Sequence, residues 1–210
     1  VVAVLGDRLT ASLVVQAAIH SHGIPDEWPA QVLRDAGATP LQVQADEHEG
    51  RVDLRQLPLV TIDGEDAKDF DDAVYCEPHR DGYILIVAIA DVSHYVRPGS
   101  ALDEEARNRA TSVYFPGYVV PMLPETLSNG ICSLRPDVER LCMVCEMVVD
   151  ADGEVSKSRF YPGVMRSHAR LTYNQVWRAV GEKDPEAIER LGPMLAPVRQ
   201  LFRLYRLFAK

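Results

Sequence analysis

The sequence predicts an α+β fold, a mixed β-sheet with helices packed on it. Three observations carry this. Short apolar runs bounded by turn residues concentrate between residues 57 and 164, while helical periodicity is strongest after residue 172, so strands come first and helices later. Residues 73–76 and 83–92 flank His79-Arg80-Asp81-Gly82, and residues 141–149 and 154–164 flank Asp150-Ala151-Asp152-Gly153; both read as hairpins. Hydrophobic residues make up 47% of the 210 and charged residues 25%, a balance that can enclose a core.

Taken in order, residues 1–5 read as a strand broken by Gly6-Asp7. Residues 12–22 are periodic enough for a helix or an amphipathic strand pair, ended by Gly23 and Pro25. A short helix is expected over 29–36, stopped by Gly37. Residues 39–51 are polar and acidic without apolar periodicity and read as a linker or long surface loop. The character changes at Leu57: 57–62 is a short strand and 63–72 an acidic loop. The strand over 83–92 is apolar on both faces, which predicts a central place in its sheet. Pro98-Gly99-Ser100 starts a helix, with Ser100 and Asp103 as its cap and Leu102, Ala106 and Ala110 as its inward stripe. Residues 114–123 are extended and interrupted by Pro116 and Pro121, and Ser128-Asn129-Gly130 is a turn. Thr172 and Gln175 cap a helix over 173–180. Two more follow over 185–191 and 194–208, the second with Leu195, Val198, Leu201, Phe202, Tyr205 and Phe208 on one face. The chain opens at Val1 without a methionine and closes at Lys210 within a periodic pattern, so it is expected to be a piece of a longer protein.

The longest apolar run, residues 84–90, is far too short to span a bilayer, and no signal-peptide pattern opens the chain. No membrane association and a cytoplasmic location are therefore expected. A net charge of −9 disfavours a simple nucleic-acid binder but leaves a nuclease open, because a metal site needs concentrated carboxylates and the bound ion inverts the local field. Of the four cysteines, Cys142 and Cys145 have CxxC spacing. They lie in an apolar strand, where positions three apart face opposite ways, so buried thiols are expected rather than a metal or redox pair.

Residues 63–72 hold six carboxylates, Asp63, Glu65, Asp66, Asp69, Asp71 and Asp72, with one lysine. Like charges this dense raise one another's pKa unless a cation sits among them. Clamped between an apolar strand and a buried hairpin, they form a set of hard oxygen donors suited to Mg²⁺ or Mn²⁺. An EF-hand is excluded, since Ala67 would fill a ligand position and Val74 the closing one. Metal-assisted chemistry, another acidic interaction loop and a solvated acidic turn remain open on spacing alone.

The stretch Thr61-Ile62-Asp63-Gly64-Glu65-Asp66-Ala67-Lys68-Asp69-Phe70-Asp71-Asp72-Ala73 resembles the signature of the ribonuclease II/R exoribonucleases. Val87-Ala88-Ile89-Ala90-Asp91-Val92-Ser93, Ser112-Val113-Tyr114-Phe115-Pro116, Leu127-Ser128-Asn129-Gly130 and Ser167-His168-Ala169-Arg170-Leu171-Thr172-Tyr173 extend the likeness, which is nearest the ribonuclease R branch. The resemblance implies that residues 51–210 are the first part of an RNB-type catalytic domain. It makes 26–50 a linker and 1–25 the remnant of a β-barrel cold-shock domain. It implies a Mg²⁺ site at Asp63, Asp69, Asp71 and Asp72, with Mn²⁺ as a substitute. Asp69 and Asp71 would serve the reaction itself, and Asp66 falls where the family varies.

By the same resemblance Tyr114 stacks on the 3′-terminal base and Tyr173 lies near the RNA sugar; a core tyrosine and a helix-start tyrosine packed on the sheet are the alternatives. Arg107, Arg109 and Arg170 could touch phosphates or be solvated. His94 and His168 are expected to be structural. The implied activity is hydrolysis of RNA from a single-stranded 3′ end, releasing nucleoside 5′-monophosphates, by a monomer. A non-catalytic RNA-binding module and an endonuclease are the competing readings. The family's later segments supply an arginine near the scissile phosphate, an acidic residue and a second aromatic. The chain of residues 1–210 by itself is accordingly expected to bind Mn²⁺ or Mg²⁺ weakly and to degrade RNA poorly, and robust turnover in a gel assay of 3′-end shortening would contradict this.

Overall fold

The structure, a computed structural model, describes residues 10–210. The chain divides into two compact units: Tyr95–Ser128 joins the residues up to Thr39 in one, and Pro40–His94 with Asn129–Lys210 make the other.

In the first unit, helix α1 (Ala11–His22) is capped by the Thr10 side chain, which accepts from the Leu13 N–H at 3.2 Å, and ends at Gly23 with φ 61°. The helical alternative for this segment is the one realised, and no barrel is seen among the described residues; the strand expected over 1–5 lies outside them. Helix α2 (Ala30–Ala38) buries Val32 and Ala36 and occupies part of the stretch read as a linker. Two further elements belong to this unit. The helix predicted from Ser100 is Ala101–Arg109, with the Ser100 hydroxyl accepting from the Asp103 N–H at 3.2 Å. Its inward stripe is corrected at one position. Ala110 leaves the helical path at φ 63° and is exposed, and Arg109 takes the inner place. Its guanidinium is held by Glu105 (2.8 Å) and by the carbonyls of Glu27 (2.7 Å) and Pro121 (3.1 Å), and it lies 3.4 Å from the Trp28 ring centroid. The extended stretch 114–123 falls largely in a hairpin of Val113–Phe115 and Tyr118–Val120, turned at Pro116-Gly117 where Gly117 has φ 74°.

The second unit is built on a seven-stranded mixed sheet. Its strands in chain order are β1 (Val52–Asp53), β2 (Val60–Asp63), β3 (Asp72–His79), β4 (Gly82–Ala90), β5 (Glu139–Val149), β6 (Val155–Arg166) and β7 (Ala169–Thr172), and their order across the sheet is β1-β6-β5-β4-β3-β2-β7. The strand apolar on both faces, β4, is the middle one, antiparallel to both neighbours, and Ala88 is fully buried. Its hairpin with β3 closes at His79 and Gly82, with Arg80 at φ 54° in the turn. A Cβ on Gly82 would stand 2.0 Å from the Val149 carbonyl oxygen, so the approach of β5 admits only glycine. Instead of continuing to Val92 as expected, β4 ends at Ala90 and the chain turns into a short helix, Val92–Tyr95.

Three helical pieces cover one sheet face. α3 (Tyr173–Val176) starts in the predicted capping box: Thr172 accepts from the Gln175 N–H and the Gln175 side chain accepts from the Thr172 N–H. It runs into a π-helical turn, Trp177–Gly181. α4 (Pro185–Leu191) and α5 (Leu195–Phe208) follow, the second packing Val198 on Val60 and Leu171, and Leu204 on Cys76 and Val149. Of the expected stripe of α5, Leu195, Val198, Leu201 and Phe202 pack inward, whereas Tyr205 and Phe208 are exposed and Leu204 and Leu207 take the inner places. Steps of three follow a row inclined to the helix axis, as when a helix crosses a twisted sheet obliquely.

The segment read as an open loop before β1 is tied to the sheet. A 3₁₀ turn, Ala45–His48, sets Glu47 against His94 at 2.6 Å, and Arg51 reaches Asp91 at 2.7 Å with both side chains nearly buried. Burial pushes the Asp91 carboxyl up, and the hydrogen bonds from Ser93 and Arg51 outweigh it, leaving the group below its usual range. A lowered carboxyl contributes stability above its unfolded pKa, near 4, and that contribution is lost as pH falls through the lower folded value. Asp91→Asn is therefore expected to cost about 3 kcal/mol at pH 7, where Arg51 keeps its buried charge without its counter-ion. The difference from wild type should shrink toward pH 3; urea titrations at both pH values check this, and equal stability at pH 7 would refute it.

Candidate active site

The acidic loop leaves the sheet between two neighbouring strands. Asp63 is the last residue of β2, in register with Thr172 of β7, and Asp72 is the first of β3, in register with Ile89 of β4. The β2 and β3 ends lie side by side because Val60 pairs with Val74. The residues between them are pinned from two directions. From one side, the Phe70 N–H donates to Ser133 Oγ (3.1 Å), Ser133 Oγ donates to the Lys68 carbonyl (3.0 Å), and the Leu134 N–H donates to the Phe70 carbonyl (2.8 Å). Ser133 is fully buried, and its own carbonyl accepts from Arg140 Nε at 2.8 Å. From the other side, Arg170 Nη2 donates to the carbonyls of Glu65 (2.5 Å) and Ala67 (3.4 Å), with its guanidinium 5.2 Å from the Phe70 ring centroid, and Asn174 donates to the Glu65 carboxylate at 2.9 Å. Phe70, itself buried, anchors the middle.

The charges in this loop are coupled. Burial raises the Asp71 carboxyl, and the charges of Asp69, Asp72 and Asp63 raise it further. Burial also raises Asp72, with Asp63 adding to it. The four groups linked this way, Asp63, Asp69, Asp71 and Asp72, are those the resemblance singles out. Among the described residues, no three His, Cys, Asp or Glu side chains are drawn together closely enough to cage a cation. The donors nevertheless suit a hard divalent ion: carboxylate oxygens alone, two of them raised by burial and then by neighbouring negative charge, which a cation would offset.

Tyr173 follows Thr172, the register partner of Asp63, and is 62% exposed, so it stands at the loop's margin and is not packed on the sheet. Tyr114 lies in the first unit and is 67% exposed, which removes the core reading. Arg107 pairs with Asp103 and stays exposed to solvent, whereas Arg109 is buried and is not set out as a phosphate contact. His168 is structural, its Nε2–H donating to the Arg55 carbonyl at 3.1 Å and its backbone N–H to the Leu59 carbonyl at 2.8 Å. The cysteines are free thiols, and burial pushes Cys76, Cys132 and Cys142 up to about 12, which leaves them protonated. Sequence reasoning missed Ser133, Arg140 and Asn174. A serine inside the apolar run Ile131–Leu134 and an arginine opening an apolar strand were the available signals. Also missed was a cavity of about 300 Å³ beside the loop, lined by Ala67, Lys68, Phe70, Asn129, Arg135 and Arg170. It gathers three cations next to the carboxylates of a chain that is acidic as a whole.

A signature of four coupled aspartates between two strands of a mixed sheet defines a class of domain, and the chain belongs to it: it is a member of the RNB domain family, matched over residues 51–210. It is 53% identical over 211 residues to the ribonuclease R of Escherichia coli (strain K12), covering all of this chain and 26% of that protein. The chain thus spans about a quarter of the length of this relative. The structure of Mycoplasma genitalium RNase R in complex with double-stranded RNA matches with a TM-score of 0.86 at 34% identity, over 97% of this chain and 36% of that one. Yeast Ssd1, a pseudonuclease, shares the fold with a TM-score of 0.74 at 17% identity, over 97% of this chain and 25% of that one.

Arg170 acts on the loop through backbone carbonyls, so its removal is expected to loosen the loop rather than unfold the sheet. Arg170→Ala should speed amide hydrogen exchange across residues 64–68 by about tenfold, the equivalent of losing roughly 1.4 kcal/mol of local protection, with exchange in β4 unchanged. Unchanged exchange in the loop would show that the contacts do not hold it.

Proposed function

We propose that the protein carrying this chain is a hydrolytic 3′→5′ exoribonuclease that releases nucleoside 5′-monophosphates from single-stranded RNA ends. One observation carries the reading: in a chain 53% identical to ribonuclease R, the aspartates whose charges couple are those at the family's signature positions. The fold alone does not carry it, since a pseudonuclease has the same fold. The carboxylates do.

In this reading Asp63 and Asp72, at facing strand ends, and Asp69 and Asp71, on the loop, hold Mg²⁺, with Mn²⁺ able to substitute. The ion supplies charge neutralisation at the phosphate and an activated water when bound. Asp69 and Asp71 would orient the attacking water. Lys68, Arg135 and Arg170 line a cavity suited to the phosphates of an incoming strand, offsetting the −9 charge of the chain where it matters. Tyr114, largely exposed, offers a stacking face to the terminal base, and Tyr173, beside the Asp63 register position, a contact to the ribose. No helix among the described residues is long and apolar enough to cross a membrane. A monomer acting in the cytoplasm fits these features.

Asp71→Asn in the full-length protein is expected to lower turnover by at least about a thousandfold, roughly 4 kcal/mol in the barrier, with RNA affinity within about threefold of wild type. Filter binding and 3′-end shortening of the same linear RNA measure the two effects, and a circular RNA tests for internal cuts. Binding without cleavage by the wild-type protein would favour the RNA-binding module, and cuts in the circle an endonuclease.

A further inference from the structure

We infer that Ser133, backed by Arg140, is a positioning residue that sets the direction of Asp69. The inference rests on the proposed role of the aspartates and concerns how the chain aims them.

A residue's backbone direction is defined once the peptide planes on both sides of it are held. The plane before Asp69 contains the Lys68 carbonyl, and the plane after it contains the Phe70 N–H. Both groups bond to the one Ser133 hydroxyl, at 3.0 and 3.1 Å. That hydroxyl uses its single hydrogen on the carbonyl and a lone pair on the N–H, so it closes a two-point clip across Asp69. The next plane is held at the Phe70 carbonyl by the Leu134 N–H (2.8 Å), and the one after Asp71 at its carbonyl by the Ala90 N–H (2.8 Å). The backbone through Asp69, Phe70 and Asp71 is thus held at four points. Ser133 supplies the two that concern Asp69, and it is the only side chain among the donors and acceptors involved.

Ser133 can do this because it does not move. It is fully buried, and its carbonyl accepts from Nε of Arg140, itself only 5% exposed. Arg140 Nη2 also reaches the Gly130 carbonyl at 3.1 Å, which spans the segment on both sides of Cys132. A buried hydroxyl this enclosed meets neither solvent nor RNA. Any effect it has on the reaction must pass through the loop. Carboxylates that repel one another need such a constraint, because the repulsion turns each away from the point where a shared cation would sit.

The test uses the full-length protein, with Mn²⁺ as the probe. Ser133→Ala is expected to weaken Mn²⁺ binding, followed by electron paramagnetic resonance, about tenfold, and to raise the Mn²⁺ concentration for half-maximal turnover by the same factor. KM for RNA should stay unchanged, and excess Mn²⁺ should restore part of the lost turnover. Arg140→Lys, which keeps the charge and loses the fork, should move the same readouts in the same direction by a smaller factor. A folded Ser133→Ala protein with wild-type Mn²⁺ affinity, or with only a lower Tm, overturns the proposal; so does failure of both variants to fold, which would make the cluster a general core element. Asp71→Asn run alongside separates the two claims. If it leaves cleavage intact, the exoribonuclease reading fails; if it abolishes cleavage while Ser133→Ala leaves Mn²⁺ binding unmoved, only the role of Ser133 fails.

Discussion

Six carboxylates between Asp63 and Asp72 must be carried from the end of one buried strand to the start of the next, against their own repulsion. In water such a loop would spread. Here its two ends are set by adjacent strands and its interior by bonds to backbone groups, which cost no further charge. Arg170 sharpens the point: its cation is spent on carbonyls of the loop, not on a carboxylate, so the aspartates keep their negative charge for something else. Burial first, and then the neighbouring carboxylates, raise the Asp71 and Asp72 groups that this arrangement encloses.

The sheet is arranged to bear this load. β2 is parallel to β7 and antiparallel to β3, so the loop springs from strands that are paired on both sides. The same parallel pairing brings Thr172 beside Asp63, and the capping box at Thr172 then starts a helix whose Asn174 returns to Glu65. On the far side β4, central and buried, holds the Asp71 carbonyl, and the Arg51–Asp91 pair closes the end of that strand. Membership of the RNB family accounts for the signature; the pairing accounts for why its residues act on one another.

Much of the secondary structure was legible because local rules decide it. Ser100 and the Thr172–Gln175 box cap helices where the spacing predicts, and the two hairpins close on their glycine-containing turns. Local rules failed where a residue's neighbour lies far away in sequence. Arg109 replaces Ala110 on the inner face of its helix because carbonyls of Glu27 and Pro121 await it there. Tyr205 and Phe208 fall outside the buried line of α5 because the sheet beneath it sets the crossing direction, which periodicity alone does not encode. The stretch before β1 looks like a free loop by composition, yet its charged residues Glu47 and Arg51 are committed to partners 47 and 40 positions on.

The acidic loop itself divides in the same way. Its donor chemistry and the exclusion of an EF-hand follow from residue type and spacing, and the family resemblance singles out Asp63, Asp69, Asp71 and Asp72 as the candidate ligands, since ligand hardness and motif position are properties of the chain as written. Only the tertiary structure decided which charges act on which, and that Ser133, Arg140 and Arg170 are what hold them. Ser133 and Arg170 stand 63 and 105 positions from the loop groups they bond, and Arg140 acts through Ser133; bonds across such separations exist only once the sheet has brought the segments together.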